Sequence, residues 1–526
     1  MRKMYVFLAI SLVLCGACSH FLEESSPDLV YARTCSDLNE ILIGNGYMKC
    51  GKHTRLAAEP YLTDVYFPYL HVMDDDIWEY AVGKSTKGVA FTYRNFYTWS
   101  DQVNIDYLTG KKLTDTDWGR LYEHIGYLNV IIAYADKFMR DSASVRDRVM
   151  GEARFLRGAY YYYLVNIYAN PYSPGTASKE MGVPLNLTEK IEDKYYERAD
   201  LKTCYQQIVE DLKVASDRLE GVSSSSIYRA DEAAARTLLA RVYLYMGEWQ
   251  SVLDECNKIL KLKDVALYDL NGFDTGYEDS GSDYIRKEYM LRASNPEILF
   301  TSGSANASFL MGESMLGSLK AYTVSEELRD LYMKYAPEGV EDLRVNCYLL
   351  PSKWDPTRYR VLKSTTDQTS IDVFDCFVIR SAEVYLNKAE AEAMLEREGD
   401  AVLSVKVLLE NRFKDHRVPD VGGLHGESLV RFIREERRRE LCFESQRWFD
   451  LRRYAVSSKY PEKKEIEHRV YEAGAVDGSF GVFTGTYVLK PYGEDPAWVM
   501  PIPADEIVYN KGNLIDNPKR VARKFK

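Results

Sequence analysis

The stretch from Ile433 to Arg453 constrains this chain more than any other. It contains no helix breaker. Ile433, Leu441 and Trp448 lie 8 and 7 residues apart, a spacing that returns them to one side of a helix. Arg437 and Glu444 fall on that same stripe. A charge isolated on a buried stripe is very costly, so the chain must pair these groups. The stretch therefore predicts an internal ion-pair network that locks helices together. The competing reading is a carboxylate-based active site.

Composition narrows the partners. The 526 residues are enough for one large core or for two to three domains. The net charge of −11 argues against nucleic acid and against a charge-driven hold on an anionic membrane. The 41 tyrosines are unusual. They either fill helix interfaces or line a surface for sugars, since aromatic rings present flat apolar faces with polar edges.

The opening stretch also resembles the signature of the SusD/RagB family, which reads roughly E-R-R-R-E-L-x-F-E-x-x-R-W-F-D-L-R-R. Glu436 to Leu441, Phe443, Glu444 and Arg447 to Arg453 match it. Further motifs are similar: Trp118 to Asn129, Arg380 to Ala391, Asn295 to Phe300, and the tail from Met500 to Pro518. The resemblance spans the chain from its start to its tail. It implies a mostly α fold: a tetratricopeptide-like helical-repeat scaffold with a looped insertion.

The N-terminus reads as a targeting segment. Arg2 and Lys3 precede an apolar run, Tyr5 to Leu14, too short for a permanent span. Gly16-Ala17-Cys18 then resembles a lipobox, with residues 1–17 removed and Cys18 lipidated. Cys15 departs from the usual leucine, and the alternative is an ordinary signal cut near Ala17. Ser19 to Pro27 resembles the family's mature start, and Glu23-Glu24 resembles its export signal to the cell exterior. No other segment is apolar for 18 residues. Seven cysteines remain after Cys15 and Cys18. Cys204, Cys256 and Cys442 read as small core residues, and spacing leaves a Cys35–Cys50 pairing open.

Periodicity predicts helices over 36–47, 117–129, 152–168, 201–219, 229–262, 380–391, 405–413 and 428–454. Gly247 reads as a C-terminal cap inside the fifth of these. Residues 264–378 lose helical spacing, with short strands expected at 295–300 and 375–379. The expected architecture is about eight repeat helices carrying a partly β insertion. It forms one domain over 18–526, with an N-terminal part to about 262 and a C-terminal part from about 263.

Signals for catalysis are weak. G-x-S-x-G, H-E-x-x-H, P-loop and C-x-x-C motifs are absent, and no histidine pair has metal-ligand spacing. The chain is expected not to be an enzyme, and no cofactor or metal is predicted. Asp74-Asp75-Asp76 reads as a solvated acidic loop, with calcium left open because the alternating ligands of an EF-hand are missing. The aromatic loop from Tyr93 to Gln102 is the better binding candidate, since it places rings beside amide, acid and guanidinium groups. The expected ligand-binding residues are Tyr97, Trp99, Asp101, Asp75, Trp78, Tyr277 and Tyr284. If Trp99 is core instead, the site is expected among Tyr268, Tyr277, Tyr284 and Tyr289.

The resemblance implies a surface-exposed, lipid-anchored outer-membrane protein that binds oligosaccharide and passes it to a SusC-like TonB-dependent transporter. The alternatives are a peptide-binding RagB-like protein and a tetratricopeptide-like adaptor that binds only protein.

Overall fold

The structure is a computed structural model that describes residues 32–50, 65–79, 93–107, 109–222, 224, 226–262, 265–279, 284–311, 322–336, 339–352, 356–365, 370–472 and 482–526. The targeting segment and Cys18 lie outside the described residues.

Among the described residues eight helices reach eleven residues or more: α1 (Thr116–Tyr134), α2 (Ala143–Tyr168), α3 (Leu201–Arg218), α4 (Glu232–Met246), α5 (Trp249–Ile259), α6 (Ser381–Met394), α7 (Glu398–Glu410) and α8 (Gly426–Leu441). A ninth, shorter helix, α9 (Arg447–Ala455), follows. Their starts are set locally. Asp115, Asp200 and Asp231 each accept a backbone N–H of the first turn, as N-caps do. Gly247 ends α4 at φ 77°, a left-handed position that glycine fills without strain. Successive helices pack as neighbours from α1 to α5, and α6 then lies against α4 and α5 across the insertion. Gly158 on α2 has a hydrogen where a Cβ would lie 3.0 Å from Leu212, so α2 and α3 approach closely there. The fold is thus mostly α and tetratricopeptide-like, as the resemblance implies.

The insertion is partly β. It contains β2 (Tyr277–Asp279), β3 (Tyr284–Arg286), β4 (Ile298–Ser302), β5 (Tyr322–Val324), β6 (Leu349–Pro351), β7 (Tyr359–Val361) and β8 (Phe377–Arg380). The two expected strands, β4 and β8, pair antiparallel with each other. β1 (Ile77–Glu79) pairs with β5 and so ties the N-terminal aromatic region to the insertion. β9 (Ile466–Glu472) and β10 (Val482–Leu489), outside the insertion and not expected from periodicity, pair antiparallel.

The stretch from Ile433 to Arg453 is not one helix. It breaks between Leu441 and Arg447, where Phe443 and Ser445 adopt φ 59° and 57°. The cause is tertiary. Lys363 Nζ donates to the carbonyls of Glu440 (2.8 Å) and Cys442 (3.1 Å), and Arg380 Nη2 donates to Glu440 O (3.0 Å). These buried cations satisfy the last carbonyls of α8 and end it without proline or glycine. The apolar stripe is split accordingly. Ile433 packs with Val405 and Leu409, Leu441 with Leu386 and Leu408, and Trp448 stacks on Trp498 at 4.8 Å.

The charges form the predicted network. Arg437 pairs with Asp450 (2.8 Å) and donates to Asn387 Oδ1 (2.7 Å). Glu444 accepts from Arg380 Nε (3.0 Å) and pairs with Lys363. Around them Arg380 and Arg412 bracket Glu297 (2.7 and 2.6 Å) and Glu440 (3.0 and 2.8 Å), while Arg344 holds Asp342 and Glu436 (2.8 and 2.5 Å). Glu440 is held well below the usual carboxylate range: burial opposes ionisation, but Arg412 and Arg380 outweigh it. A network this fully paired is structural and leaves no carboxylate free for acid–base work.

Candidate functional site

An open cleft of about 470 Å³ lies where three distant segments meet: the loop 94–110, the β9–β10 pair and the C-terminal tail. Such a volume suits a small-molecule ligand. Its rings are Tyr107, Tyr471, Tyr487 and Phe525, and its polar groups include Asn95, Asp101 and Gln102. Tyr107, Phe525, Asp101 and Gln102 are exposed. Ring faces beside amide and carboxylate groups are what a sugar's C–H faces and hydroxyls require.

The loop is held in shape by its own polar groups. Asn95 Nδ2 donates to the carbonyls of Gln102 (3.1 Å) and Ile105 (2.7 Å). Arg94 donates to Glu79 (2.8 Å) and to Tyr471 O (3.3 Å), which fixes the loop against β9. Burial pushes the Glu79 carboxyl up to about 7, with Arg94 opposing. Behind the cleft His468 is sandwiched between Tyr97 and Trp99, at 4.1 and 4.2 Å between ring centres. Its nitrogens meet Tyr97 O (2.6 Å) and Asp74 O (2.7 Å). Burial drives its pKa down to about 4, and these carbonyls oppose the drop.

A family model described as starch-binding associating with outer membrane matches residues 52–244, and the SusD family model matches residues 316–519. Together these matches cover well over half of the chain. The chain belongs to the SusD family. SusD-like protein P2 of Formosa agariphila is 23% identical over 452 residues, which cover 76% of this chain and 79% of that protein. A SusD superfamily protein of Bacteroides thetaiotaomicron superposes with TM-score 0.64 at 20% identity, covering 92% of this chain and 100% of that one. A SusD-like carbohydrate binding protein of Bacteroides vulgatus gives TM-score 0.64 at 18% identity, covering 91% and 97%.

Within this SusD-family fold the expected site residues separate. Asp101 lines the cleft. Trp99 does not: it is 0% exposed, its Nε1 donates to Met73 O (2.9 Å), and Arg523 lies 5.8 Å from its ring. Tyr97 is buried as well, with its hydroxyl between Glu79 N and Arg469 O. Neither ring has a face for a sugar, which corrects both expectations. Trp99 holds φ 48° because burial of its indole fixes the residue.

Asp75 is corrected too, and with it the solvated acidic loop. Asp74, Asp75 and Asp76 are all buried. Asp75 receives Arg447 on both oxygens (2.7 and 2.8 Å), and Asp76 receives Arg438 Nε (2.7 Å). Burial pushes Asp75 up, yet Arg438, Arg447 and Lys464 outweigh it and hold its pKa well below the usual range. The three carboxylates lie within 4.8 Å of one another. Three of their oxygens, both of Asp75 and Oδ1 of Asp76, accept from guanidinium groups, and Asp74 Oδ1 accepts Asp76 N (2.9 Å).

Trp78 lies on β1, half-buried, with Arg469 4.1 Å over its ring. Tyr277 is 52% exposed on β2, and Tyr284 pairs with Asp279 from β3. Neither Trp78 nor Tyr277 lines the cleft. Tyr107 lies just beyond the loop singled out from the sequence, while Tyr471, Tyr487 and Phe525 lie in segments where no binding signal was read. The alternation of Glu467, Arg469 and Tyr471 along 466–472 was the available clue to a half-exposed strand there. All seven described cysteines are free thiols, Cys35 and Cys50 included.

Proposed function

We propose that this SusD-family protein captures oligosaccharide at the cell surface and passes it to a SusC-like TonB-dependent transporter. The observation that carries the reading is the cleft bordered by Tyr107, Tyr471 and Phe525 beside Asn95 and Gln102. The relatives' names, which speak of carbohydrate and starch binding, support it. No helix among the described residues is long and apolar enough to cross a membrane. Attachment is assigned to a lipid on Cys18, since Gly16-Ala17-Cys18 resembles a lipobox, and two or three acyl chains hold stably where one does not. Tethering raises the local ligand concentration at the transporter. The chain acts by binding, with no chemistry on the ligand.

The test is calorimetric titration with a panel of plant and algal oligosaccharides, followed by the same titration on Tyr107→Ala and Tyr471→Ala. A ring stacked on a sugar contributes about 1–3 kcal/mol, so each variant should bind about 5- to 150-fold more weakly with its melting midpoint little changed. Full affinity in both variants would place the site elsewhere. Binding of peptides and of no glycan would favour the RagB-like reading, and a shortened oligosaccharide after incubation would make the protein a hydrolase.

A further inference from the structure

A second cleft, of about 250 Å³, shares no lining residue with the first. It is too small for an oligosaccharide and suits a single side chain or one small group. Four of its walls are aromatic: Trp118 and Tyr122 of α1, Tyr196 of the loop before α3, and Tyr509 at the end of the short helix Ala504–Tyr509. Trp118 and Tyr122 lie 5.0 Å apart between ring centres and tilted by 47°. Tyr122 is oriented by its hydroxyl, which donates to Pro184 O (2.8 Å). Tyr196 is fixed through its backbone N–H, which donates to Asn510 Oδ1 (2.7 Å). Two of the three chain segments that form the cleft, 184–196 and 506–514, are thereby tied together.

The fifth wall is Glu506. It is half-buried and has no cationic partner among the described residues, unlike its neighbour Asp505, which pairs with Lys112. Burial, Asp505 and Asp115 all raise its pKa, so its nearest charged neighbours are acidic. A carboxylate among electron-rich ring faces attracts a cation by both charge and quadrupole. Rings on this face already gather ammonium groups: Lys194 Nζ lies 4.6 Å from the centre of Tyr196, and Lys511 Nζ lies 4.3 Å from that of Tyr195.

The rim favours a peptide over a sugar as the carrier of that cation. Tyr509 is 73% exposed and Val508 76%, and Leu187, Tyr195 and Ile515, next in sequence to the lining residues Asn186, Tyr196 and Leu514, are exposed as well. Exposed apolar residues beside a pocket that holds a carboxylate fit a protein segment that presents a cation between apolar residues.

We infer that this cleft is an aromatic cage that takes a lysine or arginine side chain of a partner polypeptide. The assignment does not depend on the glycan reading of the larger cleft. It is tested by saturation-transfer NMR on the full mature protein. The probes are Nα-acetyl-lysine methylamide, its neutral counterpart Nα-acetyl-norleucine methylamide, glucosamine and N-acetylglucosamine. The lysine probe should receive saturation at its ε-methylene, and the norleucine probe should bind at least about fivefold more weakly. Glu506→Gln and Tyr509→Ala, both at partly or largely exposed positions, should melt like the parent and lose the lysine signal by a similar factor. Equal binding of the two amino-acid probes, or an unchanged Glu506→Gln variant, would overturn the cage. Glucosamine binding more tightly than the lysine probe would overturn the peptide assignment and give the site to an amino sugar.

Discussion

At the residue scale, burial decides roles that residue type leaves open. Asp117 is an example outside both clefts. It lies in the first turn of α1, 4% exposed, and accepts Phe67 N at 3.1 Å. Burial and then Asp115 push its pKa up to about 7. The sign follows from linkage. The unfolded chain gives up this proton near pH 4, whereas the folded protein keeps it to about pH 7, so folding becomes less favourable as pH rises between the two. Asn keeps the shape and cannot ionise. Asp117→Asn should therefore stabilise the protein relative to the parent by an amount that grows by about 3 kcal/mol between pH 5 and pH 8. Denaturant unfolding at both pH values checks this, and a difference independent of pH would refute it. Trp99 and Tyr107 make the same point from the other side. Both are aromatic residues of the 93–107 region, yet β9 and the tail cover one and leave the other open.

At the element scale, α8 ends where buried cations meet its carbonyls rather than where its own residues stop favouring helix. Lys363 comes from the insertion and is 2% exposed. It serves two carbonyls and Glu444 together. Replacing it by Met would leave the Cys442 carbonyl without its cation, and the Glu440 carbonyl and Glu444 with Arg380 alone. The expected loss is about 3–5 kcal/mol, as for breaking other buried pairs. The added change Glu444→Gln should recover part of it, since the stranded charge is then gone. Chemical denaturation of the single and double variants decides the matter: a single variant as stable as the parent would mean that α8 needs no such cap.

At the scale of the whole molecule, one large apolar cluster draws on both parts of the chain. The main apolar cluster runs from Cys35 to Leu514. Arg241 of α4 pairs with Glu383 of α6 through two bonds of 2.7 and 2.6 Å, across 142 positions of sequence. The expected behaviour is one cooperative unfolding transition of the mature chain, with calorimetric and van't Hoff enthalpies equal. Arg241→Met should shift that single transition downward without splitting it. Two resolved transitions would instead mark independent parts meeting near residue 262.

What the sequence by itself determined is the set of long helices, the need for internal ion pairs and the family. Helical spacing, caps such as Asp231 and stops such as Gly247 act over a few residues and are legible locally. The pairing of Arg437 and Glu444 was predictable in kind, because a buried charge must be compensated, but not in partner, because Asp450, Arg380 and Lys363 are chosen by packing. Tertiary structure alone decided the break at Phe443, the burial of Trp99 and Asp75, and both clefts. Each cleft joins segments hundreds of positions apart, and which ring faces remain open depends on what folds over them.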